Sequence, residues 1–406
     1  MPKMKLGIDV LTAAQQRVSE IFDCFERIYV SFSGGKDSSC MLHLVMDEAI
    51  KRNRTVGVLF VDLEGQYKIT IEHIHEMLAL YGEYIELYWI CLPIALRNAV
   101  SVYEPKWTCW EPDKDWIRQP SVEAITDQNY FPFYRYNMEF EEFVPAFGKW
   151  YAQGELAACF VGIRADESLN RYRTIKNEKK SKFFDLQYTT WLGEGLYNVY
   201  PIYDWTVSDI WHYNSKFKLP YNKLYDLMHQ AGLTPSQMRI CQPYGDDQRK
   251  GLWLFHVIEP ETWGRVVARV NGANQGALYA KDSGNILGNQ KISLPEGHTW
   301  ESFSVLILAS LPDATREHFE NKIAVFLRWW QVRGYPNSIP DFAEPKKEAA
   351  KEIPSWRRIC KVLLRNDYWC KGLSFSPTKS ESYKRYQEII KNRRAKWNIY
   401  KNSSHT

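Results

Sequence analysis

The stretch Ser31-Phe32-Ser33-Gly34-Gly35-Lys36-Asp37-Ser38-Ser39 constrains this chain more than any other. An apolar run, Ile28-Tyr29-Val30, leads into it, and Met41-Leu42-His43-Leu44-Val45-Met46 leaves it with helical spacing. Strand, glycine turn and helix start, in that order, make an anion site. Two adjacent glycines let the backbone bend sharply and keep Cβ atoms out of a phosphate's way. N–H groups at the helix start point at the anion, and the helix dipole favours its charge. Lys36 adds a point charge, and Ser33 and Ser38 add hydroxyls. The commoner Gly-x-x-x-x-Gly-Lys-Ser/Thr loop needs four residues between its glycines, so this is a different kind of phosphate-binding turn.

The alternation continues downstream. Strand patterns at 55–62, 84–90, 157–163 and 197–202 follow the first at 27–32, with helical patterns at 10–26, 36–53 and 66–81. Short apolar strands alternating with helices predict an α/β fold, a mainly parallel five-stranded sheet with helices on both faces. Ligands of such sheets sit outside the carboxyl ends of strands, where Ser33, Asp62 and Arg164 all fall. Residues 1–235 are expected to form this nucleotide domain, 236–344 a largely helical region and 345–406 a basic C-terminal segment. An aromatic insertion at 103–150 carries Trp107, Trp110, Trp116, Phe131 and Phe133 among prolines. It suits either a lid that stacks a base or a satellite core.

Composition narrows the classes. At 406 residues and 45% hydrophobic content, the chain can fill two or three cores. No apolar run approaches the roughly 20 residues of a membrane span, and Met1 to Asp9 lacks a secretory signal. A cytoplasmic protein without membrane contact is expected. Eight cysteines are scattered without a Cys-x-x-Cys pair, which predicts reduced thiols, no structural zinc and no iron–sulfur cluster. The net charge of +4 is unevenly spread: Pro345 to Thr406 carries +11, leaving −7 on the rest. That segment is either a solvated helical face or a surface for a polyanion such as nucleic acid.

Two more motifs follow in order. Gly162-Ile163-Arg164-Ala165-Asp166-Glu167-Ser168-Leu169-Asn170-Arg171 sits directly after the fourth strand. Arg164 and Arg171 are suited to clamp phosphate oxygens, Glu167 to orient an arginine or hold a metal, and Ser168 to cap the next turn. The bland alternative is a surface loop salt-bridged to itself. Further on, Tyr200-Pro201-Ile202-Tyr203-Asp204-Trp205-Thr206-Val207-Ser208-Asp209-Ile210-Trp211 contains a near capping box, Thr206 with Asp209, and Leu219-Pro220-Tyr221-Asn222-Lys223-Leu224-Tyr225-Asp226 comes after it.

These three elements resemble the phosphoadenylylsulfate (PAPS) reductase-like PP-loop superfamily, that of the ATP pyrophosphatases. Ser33 to Ser38 matches its Ser-Gly-Gly-Lys-Asp-Ser, and Gly162 to Arg171 its Gly-x-Arg-x-x-Glu/Gln-Ser-x-x-Arg element. The whole chain is similar to a bacterial and phage branch, the immunoglobulin-binding-regulator A (IbrA) and YbdN type. Trp107-Thr108-Cys109-Trp110-Glu111-Pro112, Ile353 to Lys361 and Ser374 to Lys379 carry that likeness. The resemblance implies an adenine nucleotide alpha hydrolase-like fold, ATP or PAPS as nucleotide ligand, Mg²⁺, and a ParB/sulfiredoxin-like protein as partner. It implies that Ser33, Gly34, Gly35, Lys36, Asp37 and Ser38 hold phosphates and that Asp62 helps hold the nucleotide or Mg²⁺. Arg164, Glu167, Ser168 and Arg171 would complete the site.

The chain departs from the reductases at its end. They carry their thiol in a C-terminal Glu-Cys-Gly-[Ile/Leu]-His segment, and this chain ends Lys401-Asn402-Ser403-Ser404-His405-Thr406. Cys241, beside Arg239, is the substitute nucleophile, since a nearby cation raises the thiolate fraction; the alternative is an inert buried cysteine. Three activities stay open. One is an ATP-using enzyme that adenylates an acceptor and releases pyrophosphate, with Lys36, Arg164 and Arg171 stabilising charge. Another is PAPS or adenylylsulfate reduction through Cys241. The third is a nucleotide-binding regulator acting through its partner or nucleic acid.

Overall fold

The computed structural model describes residues 7–176, 181–235, 237–240, 244–246, 251–278 and 292–375. Two compact units divide the chain: Met1–Leu96, Thr108–Gln248 and Leu252–Val270 in one, and Arg97–Trp107, Arg249–Gly251 and Asn271–Thr406 in the other.

In the first unit, α1 (Val10–Cys24) precedes β1 (Arg27–Ser31), and α2 (Lys36–Arg52) leads to β2 (Val56–Val61). Next come α3 (Lys68–Tyr81) and β3 (Ile85–Ile90). After β4 (Ile94–Arg97) and β5 (Lys106–Cys109), a two-stranded sheet, α4 (Phe140–Ala152) returns the chain to β6 (Ala157–Val161). Beyond α5 (Leu169–Ile175) lie β7 (Thr189–Gly193) and β8 (Leu196–Val199), then α6 (Val207–Phe217), α7 (Leu224–Gln230), α8 (Trp253–Ile258) and α9 (Pro260–Arg269). The main sheet runs β3-β2-β1-β6-β8-β7. All its pairings are parallel except β7 with β8.

That order places the site. From β1 the chain moves outward to β2 and β3 on one side, and later to β6 and β8 on the other. The reversal between β1 and β6 is a topological switch point, where the carboxyl ends of two neighbouring strands open a crevice. Ser31 is in register with Val161 across it. The mainly parallel sheet expected from the sequence is present with a sixth strand, β7. Its Thr-Thr-Trp-Leu-Gly sequence ends at a tight turn through Glu194 (φ 41°) and Gly195 (φ 79°), and as an edge strand it leaves Trp191 exposed. A short edge strand with one wet face lacks the continuous apolar run that marks the buried strands.

The insertion is chiefly a satellite core within its 108–150 part. Phe131, Phe143 and Phe147 are fully buried, and Phe147 meets Tyr88 edge-on at 5.1 Å. Capping is as the sequence predicts at α6: the Thr206 hydroxyl takes the Asp209 N–H while the Asp209 carboxylate takes the Thr206 N–H. Arg17 of α1 grips Asp204 through two hydrogen bonds of 2.8 and 2.7 Å, which ties the first helix to the start of α6.

From Asn271 on, the regular elements described in the second unit are mainly α-helices: α10 (Ala273–Leu278), α11 (Trp300–Ser310), α12 (Asp313–Gln331), α13 (Pro345–Ala349) and α14 (Trp356–Leu364). Phe319, Ile323 and Phe326 of α12 share a core with Ile359, Leu363 and Cys370. Residues 345–375 therefore pack with the preceding helices, while 376–406 lie outside the described residues. No helix among the described residues is long and apolar enough to cross a membrane.

Candidate functional site

The two loop glycines have different jobs. Gly34 sits at φ +70°, in the left-handed region, and a Cβ there would lie 3.0 Å from the Thr70 methyl. It makes the turn. Gly35 is the N-cap of α2 at φ −81°, a conformation open to any residue. The atoms nearest a Cβ on Gly35 would be Ser33 Oγ and Tyr225 Oη, both at 3.4 Å, an ordinary contact. Gly35 keeps the loop surface bare. The N–H groups of Gly35, Asp37 and Ser38 meet no acceptor among the described residues. Unsatisfied donors at a helix start, with the positive end of its dipole, are the elements of a phosphate cradle.

The cradle is braced from behind. Asn222 Nδ2 donates to the Gly34 carbonyl at 2.9 Å and to Thr70 Oγ1 at 3.0 Å. The Lys36 N–H donates to the Tyr225 hydroxyl at 3.0 Å. Ser39 Oγ lies 2.8 Å from His73 Nε2, and burial holds that imidazole's pKa below its ordinary value. Across the switch point, a Cβ on Gly162 would fall 2.9 Å from Ser38 Cα and 3.0 Å from its N. Only glycine lets the strand end come this close to the first turn of α2.

Charge under the turn is unbalanced. Asp37 Oδ2 pairs with Lys36 Nζ at 3.0 Å and Asp37 Oδ1 with Arg164 Nε at 2.6 Å. Exposure is 6% for Lys36, 9% for Asp37 and 1% for Arg164. One buried carboxylate thus stands between two buried cations. Asp166 approaches Arg164 only to 3.9 Å and is half exposed. A net positive charge in a low-dielectric setting is costly unless an anion joins it.

Residues 27–231 of this chain match the phosphoadenosine phosphosulfate reductase domain. The chain belongs to that family. Residues 232–341 and 337–384 match a domain of unknown function, DUF3440. Uncharacterized protein YbdN of Escherichia coli (strain K12) is 46% identical over 404 residues, 99% of each chain. The adenosine 5'-phosphosulfate reductase of Geobacillus sp. (strain WCH70) is 28% identical over 102 residues, 25% of this chain and 38% of that protein. The crystal structure of phosphoadenylyl-sulfate (PAPS) reductase from Candida auris matches at 12% identity with a TM-score of 0.28, over 53% of this chain and 85% of that one.

The other site residues expected for a PAPS reductase domain are placed as follows. The Glu167 carboxylate accepts the Arg164 N–H at 3.2 Å, and Ser168 Oγ accepts the Arg171 N–H at 3.2 Å as the N-cap of α5. Arg171 is half exposed, 3.7 Å from Glu167. Arg164 is brought to the loop, but its guanidinium is buried behind it, against Asp37 and the Trp205 carbonyl. Asp62 is fully buried. Its Oδ1 accepts from the Glu64 N–H at 3.0 Å and pairs with Arg118, and its Oδ2 accepts from Trp89 Nε1 at 2.8 Å. A carboxylate whose oxygens all face N–H donors does not suit the Mg²⁺ expected there. Among the described residues, no three His, Cys, Asp or Glu side chains group as metal ligands.

Cys241 lies outside the described residues. Of the described thiols, burial pushes Cys360 up to about 11 and Cys159 up to about 12, and it raises Cys40, Cys91, Cys109 and Cys370 as well. Sequence reasoning missed the brace residues Thr70, His73 and Asn222, and the buried ion pair of Glu64 with Arg269 at 3.2 Å. Burial pushes the Glu64 carboxyl up, while Arg269 and the N–H groups of Ile117 and Trp110 oppose that shift. An asparagine after Leu219-Pro220-Tyr221 reads as a turn residue, and nothing local says that its amide reaches the glycine loop.

Proposed function

We propose that this PAPS reductase-family protein binds ATP at the Ser33–Ser38 loop and cleaves it at the α-phosphate. An acceptor atom forms a bond to the α-phosphorus, the bond to the bridging oxygen breaks, and pyrophosphate leaves with that electron pair. The observation that carries this reading is the unmet positive charge of Lys36 and Arg164 on Asp37, beside N–H groups without acceptors. Those donors would hold the β- and γ-phosphates, and their grip strengthens as charge builds on the leaving pyrophosphate. Lys36 and Arg171 would contact phosphate oxygens. Arg164, buried behind the loop, acts through Asp37 as a positioning residue.

A second reading is sulfite release from PAPS or adenylylsulfate through Cys241. Arg239 donates to the Glu167 carbonyl at 3.3 Å, which supports a place near the loop for the chain just before Cys241. A third reading is a nucleotide-dependent regulator working with a ParB/sulfiredoxin-like partner. Purified protein, with and without such a partner, separates them. Pyrophosphate from ATP supports adenylation, and sulfite from PAPS supports reduction. Nucleotide binding without either product, partner present, would sink both enzymatic readings.

A further inference from the structure

A pocket of about 330 Å³ opens in the second unit, lined by α13, α14 and the segment that follows. Five of its lining residues are cationic and two are carboxylates. The deeper carboxylate is already engaged. Glu348, 4% exposed, accepts from Ser355 Oγ at 2.8 Å, Arg357 Nε at 3.0 Å and Lys361 Nζ at 2.7 Å. Arg358 forms part of the floor at 5% exposure. Its donors go to backbone carbonyls, Gly372 at 2.9 Å and Ile353 at 3.0 Å, and no carboxylate lies within ion-pair distance among the described residues. Glu348 offsets its charge from beyond ion-pair distance and the Phe326 ring lies 5.3 Å from its Cζ, yet cations still outnumber carboxylates five to two in the lining.

Arg357 and Lys361 of α14 and its C-cap Arg365 follow one another at four-residue steps, so they succeed one another along one side at about 6 Å per step. Arg365 is exposed, and its side chain makes no hydrogen bond or ion pair among the described residues. Lys351 also lines the pocket, with its Nζ donating to the Lys371 carbonyl at 2.7 Å. A row of cations over a concave floor meets phosphate groups better than it meets a single carboxylate. We propose that this pocket is a second anion site, specific for phosphate groups and separate from the glycine loop. Two sources share that chemistry: free pyrophosphate or nucleotide, and the backbone of a single-stranded nucleic acid.

The test uses the full chain and two probes, sodium pyrophosphate by calorimetry and a labelled single-stranded oligonucleotide by anisotropy over a salt series. Three variants are compared: Arg365→Glu, Lys361→Gln and, for the glycine loop, Gly35→Val. If nucleic acid is the ligand, Arg365→Glu weakens oligonucleotide binding about tenfold at low salt and flattens its salt slope by about 0.7 per lost phosphate contact. Gly35→Val leaves that binding intact. If free phosphate is the ligand, Arg365→Glu removes one class of pyrophosphate sites that Gly35→Val retains. Should Lys361→Gln fail to fold, Arg365→Glu, at an exposed position, still decides. Equal affinity of wild type and Arg365→Glu for both probes would overturn the proposal, as would loss of all binding in Gly35→Val. Pyrophosphate release from ATP, followed on the same variants, reads the glycine loop separately.

Discussion

The two units handle charge in opposite ways. In the first, Lys36 and Arg164 are buried around a single carboxylate, Asp37, beneath a glycine turn, with positive charge in excess. In the second, cations of α14 line an open pocket, and Glu348 and Arg358 are drawn inside. The loop is therefore preorganised: its donors are fixed before any ligand arrives, which suits discrimination between ground and transition states. In the α14 row Arg357 and Lys361 are held on Glu348, while exposed Arg365 is left for an incoming anion to order. Tight geometry at one and reach at the other are the physical difference.

Acid gives the largest expected effect, and it acts on both units alike. Burial lowers His43 of the first unit and His318 of the second to about 4, from an ordinary value of 6.5. Because the folded forms resist protonation, their stability is complete above 6.5 and is lost as pH falls towards 4. Each accounts for about 3 kcal/mol across that window. Urea midpoints measured from pH 7 to 4.5 should fall steadily, and a flat profile would refute the buried-neutral state of both.

Next is Arg164→Ala. Asp37 keeps Lys36 but loses the brace that fixes its position, so turnover of ATP should drop about 10²-fold, with nucleotide affinity less affected. An equal loss in both would mean that Arg164 touches the ligand directly. Gly162→Ala should cost about 2 kcal/mol in unfolding and weaken nucleotide binding, since its methyl meets backbone rather than a flexible side chain. The loop glycines should then split. Gly34→Ala costs about 1 kcal/mol of stability through its left-handed φ. Gly35→Ala leaves stability within about 0.5 kcal/mol and weakens nucleotide binding. Identical melting curves for the two would erase the distinction between turn and approach. Smallest is Arg365→Ala, expected to leave both stability and pyrophosphate release within error.

The sequence by itself determined the sheet and the loop. Apolar runs at 28–30 and 56–61 can bury both faces only in a parallel sheet, and Gly34-Gly35 between strand and helix is a local signal that no tertiary contact needs to supply. Thr206 with Asp209 was legible for the same reason, since a capping box closes within four residues. Tertiary structure decided which glycine turns and which clears space, because that depends on Thr70 and Tyr225 from other helices. It set Arg164 behind the loop rather than over it, through the register of β1 with β6. It also gave Asp62 to Arg118 and Trp89, and Asn222 to the Gly34 carbonyl. A residue type announces what it can bond; only the crossing of distant segments chooses the partner, because each buried polar group must find one and sequence spacing does not say where.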